Sequence, residues 1–315
     1  MMESKLHISV LPQESIEGLN IKKDGIYIDC TLGEAGHSQM VLNLLDKNGK
    51  LISIDQDQNA IDFVYDKFSE VVKDPRWIIV RSNFSKLKAI SNKEGIAGKV
   101  DGILMDLGLS SRQLEADERG FSYHNLDEEL DMRMDDQLGV KAKDLLNALT
   151  EQELTKLLRK YGEERYASRI ARSIKDNPTP ISTVGELTSL VDRAVPAASR
   201  TQTQKHPSRR VFQALRIAVN DELNSLTAGI HDSVDILKPG GRLVIISFQS
   251  LEDRIVKNAF REFSSKGLGE EINRKPIIPS EEEIEENSRS HSAKLRIFEL
   301  TAHNEIQKNS EEILH

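Results

Sequence analysis

Four apolar runs in the first third of the chain each lead into residues able to do chemistry. Val100 to Met105 runs into Asp106 and then into a polar, glycine-bearing loop that reaches Gln113. In parallel sheets ligands bind just outside the carboxyl ends of the strands, so a carboxylate at that point is placed to meet one. An Asp after a strand is also a common turn former or helix cap, and this segment alone leaves the two readings level. Gly25 to Cys30 enters the small-residue turn Thr31-Leu32-Gly33-Glu34-Ala35-Gly36-His37-Ser38, after which helical spacing begins at Met40, Val41, Leu44 and Leu45. Such a turn brings backbone close to a ligand and aims helix N–H groups at an anion. Lys50 to Ile54 ends in Asp55, about twenty residues after Gly33, the offset at which an acidic residue reaches ribose hydroxyls. The competing reading has Asp55 merely opening the next helix, with Asp57 as an equally good cap. Two successive strand ends of this kind favour an adenosine-type cofactor. Trp77 to Val80 ends near Asn83-Phe84, where Phe84 can lie flat on an adenine or, as aromatics more often do, pack in the core.

Strands and helices alternate up to Asp106, which predicts an α/β, doubly wound parallel sheet. The alternation then stops. From about Leu107 to Lys205 only loops and helical patterns remain, such as Ala142, Leu145, Leu146 and Leu149 followed by Leu154, Leu157 and Leu158. Thr150-x-x-Glu153 and Thr183-x-x-Glu186 match capping boxes at helix starts. This stretch reads as an all-helical insertion, and the polar segment 195–207 reads as a mobile connection. A long helix, Val211 to Leu237, and the turn Lys238-Pro239-Gly240-Gly241 then lead to strands Arg242 to Phe248 and Lys294 to Leu300. The helix that follows Asp55 is expected to carry Ala60, Ile61, Val64, Phe68 and Val71. The divisions are therefore 1–112, 113–205 for the helical insertion, 206–302 for the sheet's completion, and a polar tail, 303–315.

Composition bounds the function. No apolar run approaches the roughly 20 residues that a membrane span needs, and the start is not a secretory signal, so a cytoplasmic protein is expected. The single cysteine, Cys30, excludes an internal disulfide framework and a cysteine-cluster metal site, and no metal is expected. A net charge of −8 argues against nucleic acid. The acid, however, is concentrated in 127–136 and 281–286, whereas Arg193, Arg200, Lys205, His206, Arg209, Arg210 and Arg216 form a basic stretch. That stretch suits a phosphate backbone or an ordinary solvated helix face.

The motifs resemble those of the MraW family, the ribosomal RNA small subunit methyltransferases H, over nearly the whole chain. The resemblance is carried by His7-x-x-Val10-Leu11, Asp29-x-Thr31-x-Gly33-x-x-Gly36-His37-Ser38, Asp106-Leu107-Gly108-x-Ser110-Ser111-x-Gln113-Leu114, Arg119-Gly120-Phe121-Ser122 and Leu130-Asp131-Met132-Arg133-Met134. It continues through Tyr161-Gly162-Glu163-Glu164, His206-Pro207, Phe212 to Ile217, Val219-Asn220-x-Glu222-Leu223 and Ser250-Leu251-Glu252-Asp253-Arg254. It implies a Rossmann-like methyltransferase domain interrupted by the helical domain. It also implies S-adenosylmethionine as cofactor and methylation of a cytidine N4 in the 16S rRNA of the small ribosomal subunit. By the same resemblance Ala35, Gly36, His37, Asp55, Phe84, Asp106 and Gln113 join Gly33 as cofactor positions. Arg119, Phe121, Arg209, Gln213, Arg216 and Asn220 are candidates to hold RNA, although Phe121 and Phe212 can equally pack and Arg216 can pair with a carboxylate.

The chain departs from the family pattern at Glu34-Ala35, where Arg-Gly is usual, at Gln249, where His is usual, at Glu128-Glu129 and at Ser208. A methyl group at position 35 is tolerable if that residue keeps φ negative. For chemistry, an acceptor for an N4 hydrogen is needed, and Asp106 or a main-chain carbonyl of Leu107 to Ser110 is the candidate. The target base must be unpaired or flipped. Two other classes compete: an NAD-linked oxidoreductase, weakened by the missing third glycine, and a non-catalytic RNA-binding or ribosome-assembly protein. A homodimer is compatible with the chain, and nothing in the sequence decides it.

Overall fold

The computed structural model describes residues 9–115, 118–197 and 206–301. Contacts gather these residues into two compact units, 9–108 with 223–301 and 109–222. The start of the chain with its His7 motif, most of the polar connection 195–207 with Arg200 and Lys205, and the tail from 302 onward lie outside the described residues.

The first unit is built on a seven-stranded sheet in the order β3-β2-β1-β4-β5-β7-β6. β1 (Ile26–Asp29), β2 (Lys50–Asp55), β3 (Trp77–Arg81), β4 (Val100–Asp106) and β5 (Leu237–Ser247) are parallel, as the sequence predicts. β6 (Gly269–Glu271) and β7 (Lys294–Leu300) close one edge antiparallel. Strand order reverses between β1 and β4, the Rossmann-like switch point where ligands bind. Alternation along each strand divides the core. Ile103 and Met105 face one cluster with Ile28, Ile52, Leu226, Ile230 and Phe260, while Leu104 faces another with Tyr27, Leu51, Val41 and Val64.

α1 (Pro12–Leu19) packs on β4, β5 and β7, α2 (Gly36–Leu44) on β1 and β2, and α3 (Gln58–Lys67) on β2 and β3, while α4 (Leu87–Lys93) follows β3. α3 is shorter than its apolar spacing suggests. Its cap is Phe68, and Val71 starts a separate 3-10 turn with 38% of its surface exposed.

The second unit holds α5 (Ser111–Glu115), α6 (Ala142–Ala148), α7 (Glu151–Gly162), α8 (Ala167–Lys175), α9 (Val184–Ala194) and α10 (Ser208–Asn220) around a core of its own. Both predicted capping boxes form: Thr150 accepts from the Glu153 N–H and Thr183 from the Glu186 N–H, each at 3.3 Å. Among the described residues of this unit the only β pairing is an isolated bridge, Glu129 to Thr183.

The single helix expected over 211–237 is two. Asp221 takes a left-handed conformation, φ 49°, and ends α10, and α11 (Glu222–Ile236) starts anew. α10 packs on α7 within the helical unit, so only α11 belongs to the sheet's completion. β5 also starts earlier than expected. Leu237 pairs with Val100 before Lys238 to Gly241 bulge out, and pairing resumes at Arg242 opposite Gly102. α12 (Ser250–Ser265) and α13 (Glu281–Glu286) complete the first unit.

Candidate active site

The site grows from the end of β1. Asp29 is 1% exposed and accepts from the Thr31 N–H at 3.1 Å, the Thr31 hydroxyl at 3.3 Å and the Ser38 hydroxyl at 2.6 Å. Ser38 lies 2.7 Å from Ser53 Oγ, which accepts from the Trp77 indole N–H at 2.8 Å. Indole can only donate, so the hydroxyl protons all point one way, Trp77 to Ser53 to Ser38 to Asp29. Burial outweighs these bonds and pushes the Asp29 carboxyl up to about 6. Thr31 also accepts from the Asp106 N–H at 2.8 Å, tying the end of β4 to that of β1.

The turn after β1 is held in strained backbone. Gly33 has φ 49° and Ala35 φ 67°, both left-handed. The condition for a harmless Ala35 is therefore not met, and its methyl is fully buried while the residue sits where glycine is favoured. A Cβ on Gly36 would strike Ser9 Oγ, so a larger residue there would have to displace that side chain. Ala35 caps α2 without a side-chain oxygen, so the cap itself does not close the helix's first turn. His37, on that turn, is 6% exposed. Its Nε2 donates to the Val10 carbonyl at 3.1 Å, and its Nδ1 faces Asp106 Oδ2 at 3.6 Å.

Asp55 is not the helix cap; Asp57 is, accepting from the Asn59 N–H. Asp55 instead accepts from the Gly33 N–H and the Asp57 N–H, both at 2.9 Å, and so ties the turn to the end of β2. Burial raises it to about 6, with the Asp57 and Asp29 charges adding. Phe84 opens a 3-10 turn and is half-buried. Its ring lies so close over Gly229 that a Cβ there would sit 2.8 Å from Cδ2. Asp106 is raised well above the usual carboxylate range by burial and by the Asp29 and Glu252 charges. Its Oδ1 has no hydrogen-bond partner among the described residues.

The helical unit places the remaining candidates, and mostly engages them. Gln113 closes α5 reciprocally: its Oε1 accepts from the Ser110 N–H at 3.0 Å and Ser110 Oγ accepts from the Gln113 N–H at 3.2 Å. Arg119 donates to the Arg133 and Met134 carbonyls and lies over the Phe121 ring. Gln213 donates to the Tyr161 carbonyl. Arg216 pairs with both oxygens of Glu222. Asn220, 5% exposed, clamps the Met132 carbonyl and the Met134 N–H at 2.7 Å each. Phe121 and Phe212 are packed. Of the polar RNA candidates only Arg209 has a side chain with no hydrogen-bond or ion-pair partner among the described residues, its backbone N–H donating to the His206 carbonyl.

A family model described as the MraW methylase family matches residues 4–301. The chain belongs to the MraW methylase family. A ribosomal RNA small subunit methyltransferase H of Brevibacillus brevis is 46% identical over 310 residues, covering 93% of this chain and 97% of that protein. One from Clostridioides difficile is 47% identical, covering 93% and 98%. Within the family's Leu130-to-Met134 motif the structure shows a folding role. Leu130, Met132 and Met134 are buried, and Asp131 forms a two-pronged pair with Arg133.

Reasoning from residues alone passed over Thr31, Ser38 and Glu252 as members of the site. Glu252 accepts from the Phe248 N–H at 2.9 Å and from the Gln249 amide at 2.7 Å, which holds the family's late motif at the end of β5. Ser110-x-x-Gln113 carries the capping-box pattern, and that signal was available. Ser38 stands in the family motif and Ser53 in an apolar strand run, but their contact with each other and with Asp29 appears only when the sheet register brings them together.

Proposed function

We propose that the chain transfers the methyl group of S-adenosylmethionine to the N4 amino group of a cytidine in 16S rRNA, acting on small ribosomal subunits in the cytoplasm. The observation that carries the cofactor is the trio of carboxylates at adjoining strand ends, Asp29, Asp55 and Asp106, each raised by burial and each set against the strained turn 31–37. Packing three such groups together is costly unless a cation joins them, and a sulfonium with an ammonium group supplies one. Asp55 retains lone pairs for ribose hydroxyls, Phe84 offers a ring edge for adenine, and the first turn of α2 suits the amino-acid carboxylate. The residues present fit the cofactor. The relatives' printed names support the rRNA substrate.

When bound, the cofactor supplies a methyl group already activated for displacement. The chain's own task is to align the amino nitrogen, exclude water and take up its proton. Asp106 is suited to the last. Its Oδ1 is buried, so the oxygen placed to accept the N4 hydrogen is Oδ2, beside His37, and Thr31 fixes its backbone through Asp29. Gln249 cannot titrate and serves as a hydrogen-bonding cap to Glu252.

The test is transfer of labelled methyl to small subunits from cells lacking the protein, with the nucleoside identified by mass spectrometry. N4-methylcytidine is the expected product. Another methylated base overturns the substrate assignment, and cofactor binding without transfer replaces catalysis with a role in RNA binding or assembly.

A further inference from the structure

The candidate RNA residues read from the sequence are, apart from Arg209, spent inside the helical unit. Another set of arginines is not. Between α8 and α9 lies a groove of about 510 Å³, lined by Ser168, Arg169, Arg172, Asp176, Asn177 and Arg193 among others. Ile170, Ala171 and Ile174 bury the opposite face of α8 in the unit's core, which fixes Arg169 and Arg172, three apart, side by side on the solvent face.

Arginines that serve this fold are paired with carboxylates: Arg76 with Asp74, Arg133 with Asp131, Arg216 with Glu222 and Arg296 with Asp253. Among the described residues Arg169 and Arg193 have no such partner. Arg172 meets one carboxylate among the described residues, Glu151, at 3.5 Å, with both side chains exposed. The chain is acidic overall, so carboxylates are in surplus, yet residues 156–216 hold thirteen Lys and Arg against five Asp and Glu. Like charges gathered in a groove repel one another and favour an anion there.

We propose that this groove binds the sugar-phosphate backbone of the rRNA strand; the proposal rests on the rRNA reading above and adds a contact site to it. The planar guanidinium fork matches phosphate oxygens two at a time. Asp176 decides the class of anion. A carboxylate in the groove disfavours a small free anion, but it accepts a hydrogen bond from a ribose 2′-hydroxyl, the group that separates RNA from DNA.

The experiment uses the full chain and its R169Q/R172Q/R193Q variant, each saturated with S-adenosylhomocysteine. Binding of a fluorescein-labelled 20-mer of uridine, and of its deoxyuridine counterpart, is followed by anisotropy across a salt series. Each phosphate contact on a single strand adds about 0.7 to the slope of log affinity against log salt, so losing three lowers the slope by about 2. The variant is expected to bind RNA about tenfold or more weakly at low salt, with that smaller slope and with unchanged helicity and S-adenosylhomocysteine affinity. With small subunits as substrate, KM rises and kcat holds. A D176N variant is expected to narrow the preference for RNA over DNA. An intact triple variant with the parent's RNA affinity and slope overturns the groove, as does displacement of RNA by millimolar inorganic phosphate alone. If the parent transfers no methyl to subunits while the triple variant still loses RNA affinity, the substrate reading fails and the groove stands.

Discussion

At the scale of single residues, this site is held together by groups in unfavourable states. Ala35 is one: its left-handed φ costs an L-residue roughly 1–2 kcal/mol, partly offset by a buried methyl worth about 0.8 kcal/mol. Ala35→Gly relieves the strain, but it gives up that methyl and adds freedom to the unfolded chain. It is expected to raise stability by less than about 1 kcal/mol, read as a small increase in urea midpoint; a loss above about 1 kcal/mol would show that the methyl's packing dominates. Asp29 and Asp55 are the others. Both have folded pKa values of about 6 against a reference of 3.8. Between those values the folded chain keeps protons that the unfolded chain has lost, so this contribution to stability is present below about pH 4 and is lost as pH rises through 6. Near neutrality each ionised Asp costs on the order of 3 kcal/mol, which a bound cation recovers. S-adenosylmethionine affinity measured by calorimetry is therefore expected to strengthen by about tenfold or more from pH 5 to 7.5. S-adenosylhomocysteine, lacking the sulfonium charge, is expected to respond less, and equal responses would remove the carboxylates from cation recognition.

At the scale of elements, legibility followed the strength of the local signal. Parallel strands buried on both faces were readable as apolar runs, and β4 falls where the sequence puts it; β7, antiparallel, was readable from the alternation of Leu295, Ile297 and the apolar Phe298 and Leu300 among charged residues. Polar β6 has no such pattern and exists only because β7 offers it an edge. The break at Asp221 was hidden for a related reason. No Gly or Pro marks it, and the apolar spacing of α10 runs on into α11. Asn220, just before the break, shows what the site reading lacked. A polar residue on a helix reads as a surface contact until the loop it clamps is seen. Its amide satisfies the Met132 carbonyl and the Met134 N–H, both away from water. Asn220→Ala leaves these unpaired and is expected to destabilise the chain by roughly 2–4 kcal/mol by denaturant titration. A change below about 0.5 kcal/mol would return Asn220 to the list of RNA contacts.

At the scale of the molecule, chain order makes the two units unequal. Residues 109–222 are continuous and bury their own core, Leu154, Leu158, Ile170, Leu187 and Leu215 among them. The α/β unit is split, and its halves meet where β4 pairs with β5, Gly102 to Asp106 opposite Arg242 to Ile246. Before β5 arrives, β4 presents an open, apolar edge, and sheet pairing across so long an insertion is slow. The sequence showed where the alternation stops, but not where the helical core ends, because that depends on α10 packing on α7. The continuous unit is therefore expected to fold when expressed alone as 109–222, giving helical circular dichroism and a cooperative melt, and to bind labelled uridine 20-mer without binding S-adenosylmethionine. Residues 1–108 alone are expected to aggregate. If 109–222 is instead unfolded in isolation, its core does not suffice by itself, and its order depends on the sheet domain that its insertion divides.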